Sequence, residues 1–552
     1  MNQSASPGVT DTPVSEPRVR ERAPMSQREV LQALSGLMMG MFVAIISSTV
    51  VSTSLPRIIA DLGGGQSAYT WVVTSTLLAT TVSTPLWGKF ADLFDRKRLL
   101  QLSLIVFVFG SALAGQSQNA GMLIAFRVIQ GLGAGGLTAL VQVVIADIIS
   151  PRERGRYMGV LGAVMSVGTV GGPLLGGLIT DTIGWRWNFY VGVPIAAIAI
   201  VLIQKTLKLP QRSRRTVEID YLGATFIASG VSLLLIWVSL AGSQFAWGST
   251  PSYLMVLGAI ALLALAVFAE MRAAEPIIPL NLFNNRTVVM AVVASIAVGV
   301  AMYGTSVFLS QYMQLARGKT PTQSGLMTIP MVAGTLISSI GGGQVITRTG
   351  RWKPLMVAGA FIMTVSMAAM GTIRADTNFV LLSFYMMGVG LGMGLVMQNL
   401  VLIVQNVVSV RQLGAASSVI AFFRSLGGTI GVSIMGAVMG SRVTTLISDG
   451  LSDLGIEQDG AASSGQIPDL SLLPEPVRLV VENAYGRGVG DIFMLAVPMA
   501  VVVLVAVVML PNTPLGTRSA TEQMDEDVLQ PAVGDRSTAY DGADTSPRMV
   551  TM

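Results

Sequence analysis

The sequence contains no cysteine and no histidine. Without cysteine, the chain can form no disulfide framework, no thiol nucleophile and no cysteine-based metal site. Without histidine, it has no imidazole general base, no histidine zinc site and no histidine proton relay. Proton chemistry in this protein therefore falls to Asp, Glu, Lys, Arg or Tyr side chains, and we expect neither a metal site nor a bound cofactor.

Charged residues are scarce as well. They make up 12% of the 552 residues, whereas a soluble domain usually carries about 25%. Hydrophobic residues make up 52% and the mean hydropathy is +0.65. Because so few charges cannot cover a soluble surface of this size, the composition predicts an all-α integral membrane protein. The 60 glycines are typical of membrane helices whose backbones pack closely.

A membrane-crossing helix needs about 20 mostly apolar residues. Apolar windows of about that length recur between Ala33 and Leu510. They predict 14 transmembrane helices, at residues 33–54, 68–88, 99–116, 121–148, 157–180, 188–204, 221–241, 252–271, 288–310, 325–346, 354–373, 379–406, 415–440 and 491–510.

The distribution of Lys and Arg predicts the orientation. With the N-terminus inside, most basic residues fall in internal connections. The short external loops hold only Arg57, Arg186, Arg317, Lys319 and Arg374. Since internal loops of membrane proteins are enriched in Lys and Arg, we expect both termini in the cytoplasm. The net charge of +5 then reflects topology, and no nucleic-acid partner is expected because no basic patch is interleaved with aromatic residues.

An internal repeat organises the chain. Gly88, Arg96 and Arg98 align with Gly343, Arg351 and Lys353, and the glycines of span five align with those of span thirteen. Parallel six-span repeats are a transporter architecture with the substrate site between the repeats. We therefore predict two six-helix bundles plus two inserted helices. The segments are a cytoplasmic N-terminal tail at 1–32, bundles at 33–205 and 288–510, a linker with spans seven and eight at 206–287, an external loop at 441–490, and a disordered cytoplasmic tail at 511–552.

The turn between spans two and three reads GKFADLFDRKR from Gly88 to Arg98. Glycine lets two helices approach closely, and the Asp92 carboxylate can accept hydrogen bonds from a helix N-terminus or a basic side chain. A contact made in only one conformer would latch a cytoplasmic gate. We assign this role to Gly88, Lys89, Asp92, Arg96 and Lys97. The alternative is an ordinary positively charged internal turn.

Two further patterns lie in spans four and five. The first is Arg127-x-x-Gln130-Gly131, which places a charge at membrane depth. Such a charge normally marks a substrate or proton pathway. The alternative is a structural arginine that only donates hydrogen bonds to backbone carbonyls. The second places glycines at every fourth residue beside a proline, which gives a flat and bent helix. Its residues are Gly168, Gly172, Pro173, Gly176 and Gly177.

These patterns resemble the major facilitator superfamily. The turn resembles its loop motif G-x-x-x-D-x-x-G-R-[RK], with Asp95 where a second glycine is usual. The other two resemble the R-x-x-Q-G motif of proton-coupled exporters and the G-x-x-x-G-P-x-x-G-G motif of antiporters. With Thr49–Ile58, Asp220–Gly223 and Glu275–Leu280, the chain is similar over residues 33–510 to the fourteen-span drug:proton antiporters of the EmrB/QacA subfamily. The resemblance implies the major facilitator fold, action by alternating access, and proton coupling that involves Arg127. As the acid in this coupling we assign Asp147.

The chain also departs from that subfamily. Ser47 stands where an aspartate is usual, and no Asp or Glu lies near the centre of a predicted span. Methionines in spans eleven and twelve are either packing or a soft, adaptable cavity surface. The polar candidates for a substrate cavity are Ser47, Gln130, Gln142, Tyr303, Gln398, Asn399 and Arg424.

The predicted function is proton-driven efflux of hydrophobic or amphipathic drugs across a bacterial cell membrane. We expect a monomer whose partners are small lipophilic substrates, protons and the lipid bilayer. One alternative is an exporter of an endogenous metabolite, a lipid or a self-made antibiotic, and another is a non-transporting sensor. An enzyme is not expected, because the sequence has no phosphate-binding loop and no soluble catalytic domain.

Overall fold

The computed structural model describes residues 27–62, 66–207, 220–241, 245–273, 276–319, 321–454 and 474–516. Within these ranges the regular secondary structure is helical, and a single isolated bridge joins Ala241 and Phe245. Residues 1–26 of the tail predicted at 1–32, residues 517–552 of the tail predicted at 511–552, and parts of the linker and of the external loop lie outside the described residues.

Fifteen α-helices follow one another along the described residues. They are α1 Gln27–Asp61, α2 Gln66–Leu93, α3 Arg96–Gly115, α4 Ala120–Ile148, α5 Pro151–Thr182, α6 Gly192–Thr206, α7 Tyr221–Leu240, α8 Thr250–Arg272, α9 Arg286–Gln311, α10 Pro321–Met327, α11 Ile329–Thr349, α12 Lys353–Met370, α13 Phe379–Val407, α14 Leu413–Asp453 and α15 Glu475–Met509.

Each of the predicted spans coincides with one of these helices, except that span ten is divided between α10 and α11. Among the described helices, 13 are long and apolar enough to cross a membrane. Helix α2 is not among them because serine and threonine lower its hydropathy. It nevertheless has 28 residues, a length of roughly 42 Å, which is enough to cross a bilayer.

The apolar cores follow the two predicted bundles. Two buried clusters contain only residues between Ala33 and Leu207, and a third contains only residues between Leu282 and Leu515. The buried methionines of α12 and α13 belong to this third cluster, so they serve as packing. The chain therefore folds as an N-terminal and a C-terminal half, each with its own core.

The inserted helices α7 and α8 pair with each other at the seam between the halves. Helix α7 packs against both α2 and α14, and a small cluster that includes Val82, Ile227 and Phe422 joins the three helices. The halves also meet directly where α2 packs on α14 and where α5 packs on α11 and α13. The inserted pair thus touches the same two helices that form one of the interfaces between the halves.

Two segment predictions need correction. The external loop predicted at 441–490 is shorter, because α14 continues to Asp453 and α15 begins at Glu475. These extensions contain many polar residues, so hydropathy alone does not detect them, and they pack on each other where Gly450 of α14 lies against Val480 of α15. The tail predicted to be disordered from residue 511 begins in an ordered form, since Trp352 Nε1 donates to the carbonyl of Thr513 at 2.8 Å.

Candidate functional site

The turn from Gly88 to Arg98 lies at one end of the bundle, which we call the basic end. Helix α3 begins there because the Asp95 carboxylate accepts from the Arg98 backbone N–H at 2.9 Å, a standard N-cap. A Cβ on Gly88 would overlap the Ser418 side chain and lie 2.8 Å from the carbonyl oxygen of Gly414. Glycine at position 88 therefore permits the closest approach of α2 to α14.

Asp92 joins the two halves at the basic end. Its Oδ1 accepts from the backbone N–H of Gly414 at 2.9 Å, and its Oδ2 accepts from that of Ala415 at 2.8 Å. Both N–H groups belong to the first turn of α14, where a helix has no internal acceptors and its dipole favours an anion. The predicted contact between Asp92 and a neighbouring helix N-terminus is thus present in the structure.

Arg96 ties this contact to helix α4. Its guanidinium is buried, donates from Nη2 to Asp92 Oδ1 at 3.2 Å, and forms an ion pair through Nη1 with Asp147. Its Nε donates to the carbonyl of Ala91 at 2.8 Å. Asp147, predicted as a proton-coupling residue, is therefore part of the same cluster as the predicted gating residues Asp92 and Arg96.

The two lysines of the turn make different contacts. Lys97 Nζ donates to the carbonyl of Gln204 at the end of α6, at 2.8 Å, so it stabilises the N-terminal half internally. The Lys89 side chain is buried on α2, within electrostatic range of Glu270 at the end of α8. Of the two, only Lys89 faces an element outside its own half.

Arg154 is a functional candidate that the sequence analysis did not single out. It is only 1% exposed and donates from Nη2 to the carbonyls of Ala146 and Ile149 at the end of α4, both at 3.0 Å. Its Nη1 donates to Gln405 Oε1 on α13 at 2.9 Å, which is a second link between the halves. In the sequence, Arg154 is one of several basic residues in the internal connections. The one signal that could have identified it is its position six residues after the end of α4, where a basic side chain can donate to the last carbonyls of that helix.

The repeat partner of Asp92 also joins the halves. Thr347, on α11, accepts through Oγ1 from the backbone N–H of Arg156 on α5 at 3.2 Å. Arg156 and Ala415 occupy equivalent positions in the two repeats. The basic end is therefore held by two repeat-related contacts, one made by a carboxylate and one by a hydroxyl.

Arg127 lies in the second turn of α4, toward the opposite end of the bundle. Its Nε donates to the carbonyl of Val72 at 3.3 Å and its Nη1 donates to Gln130 Oε1 at 3.0 Å. No carboxylate lies within ion-pair distance of it among the residues that the structure describes. Asp147 is 20 residues along the same continuous helix, roughly 30 Å away, so the two predicted coupling residues lie at opposite ends of α4, as the length of span four predicts.

The glycines of α5 pack against α1. A Cβ on Gly172 would overlap Thr49 Oγ1, and a Cβ on Gly176 would lie 2.6 Å from the carbonyl oxygen of Val50. Thr49 Oγ1 also donates to the carbonyl of Gly168 at 3.1 Å. Helix α5 includes Gly177 and Pro173, although the side chain of Pro173 lies outside the described residues. These glycines form a close α1–α5 interface within the N-terminal half.

Two predicted cavity residues lie between the halves. Gln398 Nε2 on α13 contacts Met165 Sδ on α5 at 3.3 Å, and its Oε1 is buried without a hydrogen-bond donor among the described residues. Gln142 on α4 accepts at its backbone carbonyl from Gln405 Nε2 at 3.3 Å, and both of its amide side-chain atoms are buried and unpartnered in the described part of the chain. These amides are available to a bound molecule or to water.

The remaining cavity candidates lie inside single halves. Ser47 is buried beside Gly192 of α6, Gln130 is engaged by Arg127, and Asn399 Nδ2 donates to the carbonyl of Leu395 at 2.6 Å. Pockets of ≈ 520 Å³ and ≈ 470 Å³ lie elsewhere, at the surfaces of α12 and α14. The structure therefore does not gather all the predicted polar residues around one cavity.

Arg424 is a buried charge in the C-terminal half. It lies on α14, and Tyr303 of α9 is within electrostatic range. Tyr303 also packs against Gly428, one turn further along α14. Within the described ranges the Arg424 guanidinium has no hydrogen bond and no ion pair, which distinguishes it from Arg96, Arg127 and Arg154.

Comparison with known proteins supports the architecture. The profile of the Major Facilitator Superfamily matches residues 37–432. An uncharacterized MFS-type transporter of Mycobacterium tuberculosis (strain ATCC 25618 / H37Rv) is 38% identical over 484 residues, covering 87% of this chain and 69% of that protein. The multidrug transporter protein MdtP of Bacillus subtilis (strain 168) is 35% identical over 436 residues, covering 79% of each chain. The structure of the proton:xylose symporter XylE matches with a TM-score of 0.58 at 14% identity, covering 91% of this chain and 100% of that chain.

Proposed function

The chain belongs to the major facilitator superfamily, has its all-α fold, and is a multi-pass membrane transporter, and we propose that it exports hydrophobic or amphipathic compounds from the cell. Export proceeds by alternating access, in which the N-terminal and C-terminal halves rock about a site between them. Inward proton movement drives the cycle. Within the superfamily we place the chain among the fourteen-span drug:proton antiporters.

The contact of Asp92 with the first turn of α14 carries the mechanism. The two hydrogen bonds cross between the halves, and in the proposed cycle they break when the basic end opens. Because the Lys and Arg distribution favours a cytoplasmic basic end, we interpret this conformer as closed toward the cytoplasm. Opening toward the cytoplasm then requires α14 to leave Asp92, which exchanges those hydrogen bonds for water.

Two observations favour export of lipophilic compounds. The relative MdtP is named as a multidrug transporter, and the glycine pattern of α5 resembles that of antiporters. The polar atoms left free between the halves, on Gln142 and Gln398, are neutral. Neutral amides in an otherwise apolar surround suit uncharged or amphipathic molecules better than they suit small ions.

We assign proton coupling to Asp147 and Arg127 at the two ends of α4. Asp147 is ion-paired with Arg96 in this conformer. If opening of the basic end separates the pair, the Asp147 carboxylate gives up its contact with Arg96 while Arg154 stays within electrostatic range, and we assign proton exchange to that step. Arg127, roughly 30 Å away, would respond through the movement of α4 rather than by direct contact.

Reconstituted protein tests this proposal. In liposomes with an imposed pH gradient, the protein should transport a lipophilic cationic dye against the proton flow. Asp92→Asn should slow transport at least tenfold, because one charge-assisted interaction with α14 is lost. Asp95→Asn is the matched control, since Asp95 caps only α3 and asparagine is an equally good N-cap. Transport that ignores the pH gradient would refute proton coupling, and full activity of Asp92→Asn would refute the role of the latch.

A second candidate function is export of an anionic metabolite or self-made antibiotic. The observation that favours it is Arg424, a buried guanidinium without an ionic partner in the described part of the chain. A buried cation of this kind gains most from an anionic ligand. Competition of anionic against cationic compounds for dye transport, in the wild type and in Arg424→Gln, would distinguish the two functions.

A further inference from the structure

Two carboxylates meet where the inserted helices α7 and α8 reach the basic end. Asp220 is the N-cap of α7, and its Oδ1 accepts from the backbone N–H of Gly223 at 2.8 Å. Glu270 lies in the last turn of α8, and its Oε2 accepts from the backbone N–H of Ile278 at 3.2 Å. One oxygen of each carboxylate therefore has a donor, and both side chains are held in place.

The second oxygen of each carboxylate has none. Asp220 Oδ2 and Glu270 Oε1 are buried and lack any hydrogen-bond partner among the described residues. Glu270 as a whole is 5% exposed. A buried carboxylate oxygen without a donor costs several kcal/mol, so two of them at one place indicate that a binding partner is missing.

The two free oxygens face the same small space beside Gly223. A Cβ on Gly223 would overlap Asp220 Oδ2 and would lie 2.9 Å from Glu270 Oε1. Only glycine leaves room for both carboxylates at this position. The two acidic groups therefore approach each other across Gly223, with their unpartnered oxygens on the shared side.

Among the residues that the structure describes, few charges lie near this pair. Lys89 of α2 is within electrostatic range of Glu270. Arg272 stacks on Phe268 with its guanidinium carbon 4.0 Å from the ring centre. The segment 276–285 contains no ionisable residue, and α14 contributes none before Arg424. Lys89 is thus the cation best placed to balance the pair, and it is carried by the helix that also bears Asp92.

We propose that Asp220 and Glu270 form a proton-binding site, in which the two carboxylates hold one proton when Lys89 is withdrawn. Two carboxylates at close range in a buried site cannot both ionise without large repulsion, so they share a proton unless a cation is near. With Lys89 adjacent and both acids ionised, the group carries a net charge of −1. With Lys89 withdrawn and one proton bound, the pair again carries −1.

The step exchanges one proton with water at the basic end. When Lys89 moves away, one carboxylate takes a proton from water and the O–H donates to the other carboxylate. When Lys89 returns, that proton is released. Proton binding by the pair does not depend on the proposed transport cycle, whereas its coupling to the movement of α2 rests on that cycle. The site gives the inserted helices a chemical role at the seam.

Infrared difference spectroscopy of the purified full-length protein, without substrate, tests the site. Stepping the pH should reveal the carbonyl stretch of a buried protonated carboxylic acid. Glu270→Gln should abolish that band, and Asp220→Asn should abolish it or shift its frequency, because the acid loses its charged partner. Glu153→Gln is the matched control, since Glu153 is an exposed acid in the first turn of α5 at the same end, and it should leave the band unchanged.

Lys89→Met provides a signature that a purely structural role would not produce. Removing the positive charge should let the pair keep its proton to a pH higher by about one unit. A band that persists in both Glu270→Gln and Asp220→Asn, or that does not respond to Lys89→Met, would overturn the proposal. If instead the dye assay fails while the band behaves as expected, the proton site stands and the proposed transport function does not.

Discussion

Gly88→Ala is the most direct perturbation of the contact between the halves. The added methyl group would overlap the Ser418 side chain and lie 2.8 Å from the carbonyl oxygen of Gly414. Ser418 can adjust only slightly because its hydroxyl donates to the carbonyl of Ala415 at 2.9 Å within α14. The backbone oxygen of Gly414 cannot rotate away at all, so the substitution requires α2 and α14 to separate.

The magnitude follows from the cost of overpacking. Forcing one extra carbon into a well-packed interface costs about 1–3 kcal/mol. Each 1.4 kcal/mol changes an equilibrium tenfold, so the closed basic end should lose roughly 5- to 150-fold in population relative to the open one. The intrinsic preference of helices for alanine does not alter this ratio, because position 88 is expected to stay inside α2 in both conformers.

The absence of cysteine makes the measurement simple. Spin labels on Arg98→Cys and Arg351→Cys, two exposed positions in opposite halves, report the opening of the basic end by pulsed electron paramagnetic resonance. Gly88→Ala should move the distance distribution toward long distances, and Ser418→Gly added to it should reverse only part of that change, because the carbonyl oxygen of Gly414 still lies 2.8 Å from the added methyl group. Gly341→Ala, where a Cβ meets nothing within 4 Å, should have no effect. An unchanged distribution in Gly88→Ala would refute the reasoning.

Three further variants test the other contacts. Gly172→Ala should lower dye efflux at least tenfold, because its methyl group would overlap Thr49 Oγ1, and Thr49→Ala should partly restore it; efflux at the wild-type rate would contradict a close α1–α5 interface. Arg154→Ala should lower the melting temperature more than Arg348→Ala, an exposed arginine in the last turn of α11, since it leaves three buried acceptors without a donor, and equal shifts would argue against its central position. Arg127→Ala should abolish efflux while the protein remains in the membrane fraction, and full efflux would remove Arg127 from the mechanism.

Hydropathy and the spacing of the repeated motifs were sufficient to predict the architecture. They were not sufficient to predict where the helices extend beyond the thickness of a bilayer. The apolar windows found the helices because only a helix satisfies every backbone group within its own segment in lipid. The polar extensions of α14 and α15 follow a different rule, since they pack on each other, for example where Gly450 lies against Val480. No window average can detect a contact between residues so far apart in sequence.

The same limit applies to the site. The contact of Asp92 was predictable, because a carboxylate at a turn needs only a helix N-terminus as a partner. The ion pair of Asp147 with Arg96 was not predictable, because the two residues are 51 positions apart in the sequence. Arg96 was assigned to the gate and Asp147 to proton coupling. Arg154 was hidden among the basic residues that set the topology, and its burial, not its charge, distinguishes it. Pairings between distant helices are what the sequence of one chain does not disclose.

The two repeat-related contacts at the basic end differ in strength, and the difference has a mechanistic consequence. Asp92 accepts from two free N–H groups at the start of α14, whereas Thr347 accepts from one N–H group in the second turn of α5. Hydrogen bonds to a charged acceptor contribute about 1.5–3 kcal/mol each, compared with about 1 kcal/mol for a neutral one. If both contacts break when the basic end opens, the contact on the α2–α14 side costs more than its repeat-related partner. That is also the side on which Lys89 and the inserted helices lie, so a proton bound by Asp220 and Glu270 would act beside the stronger of these two contacts.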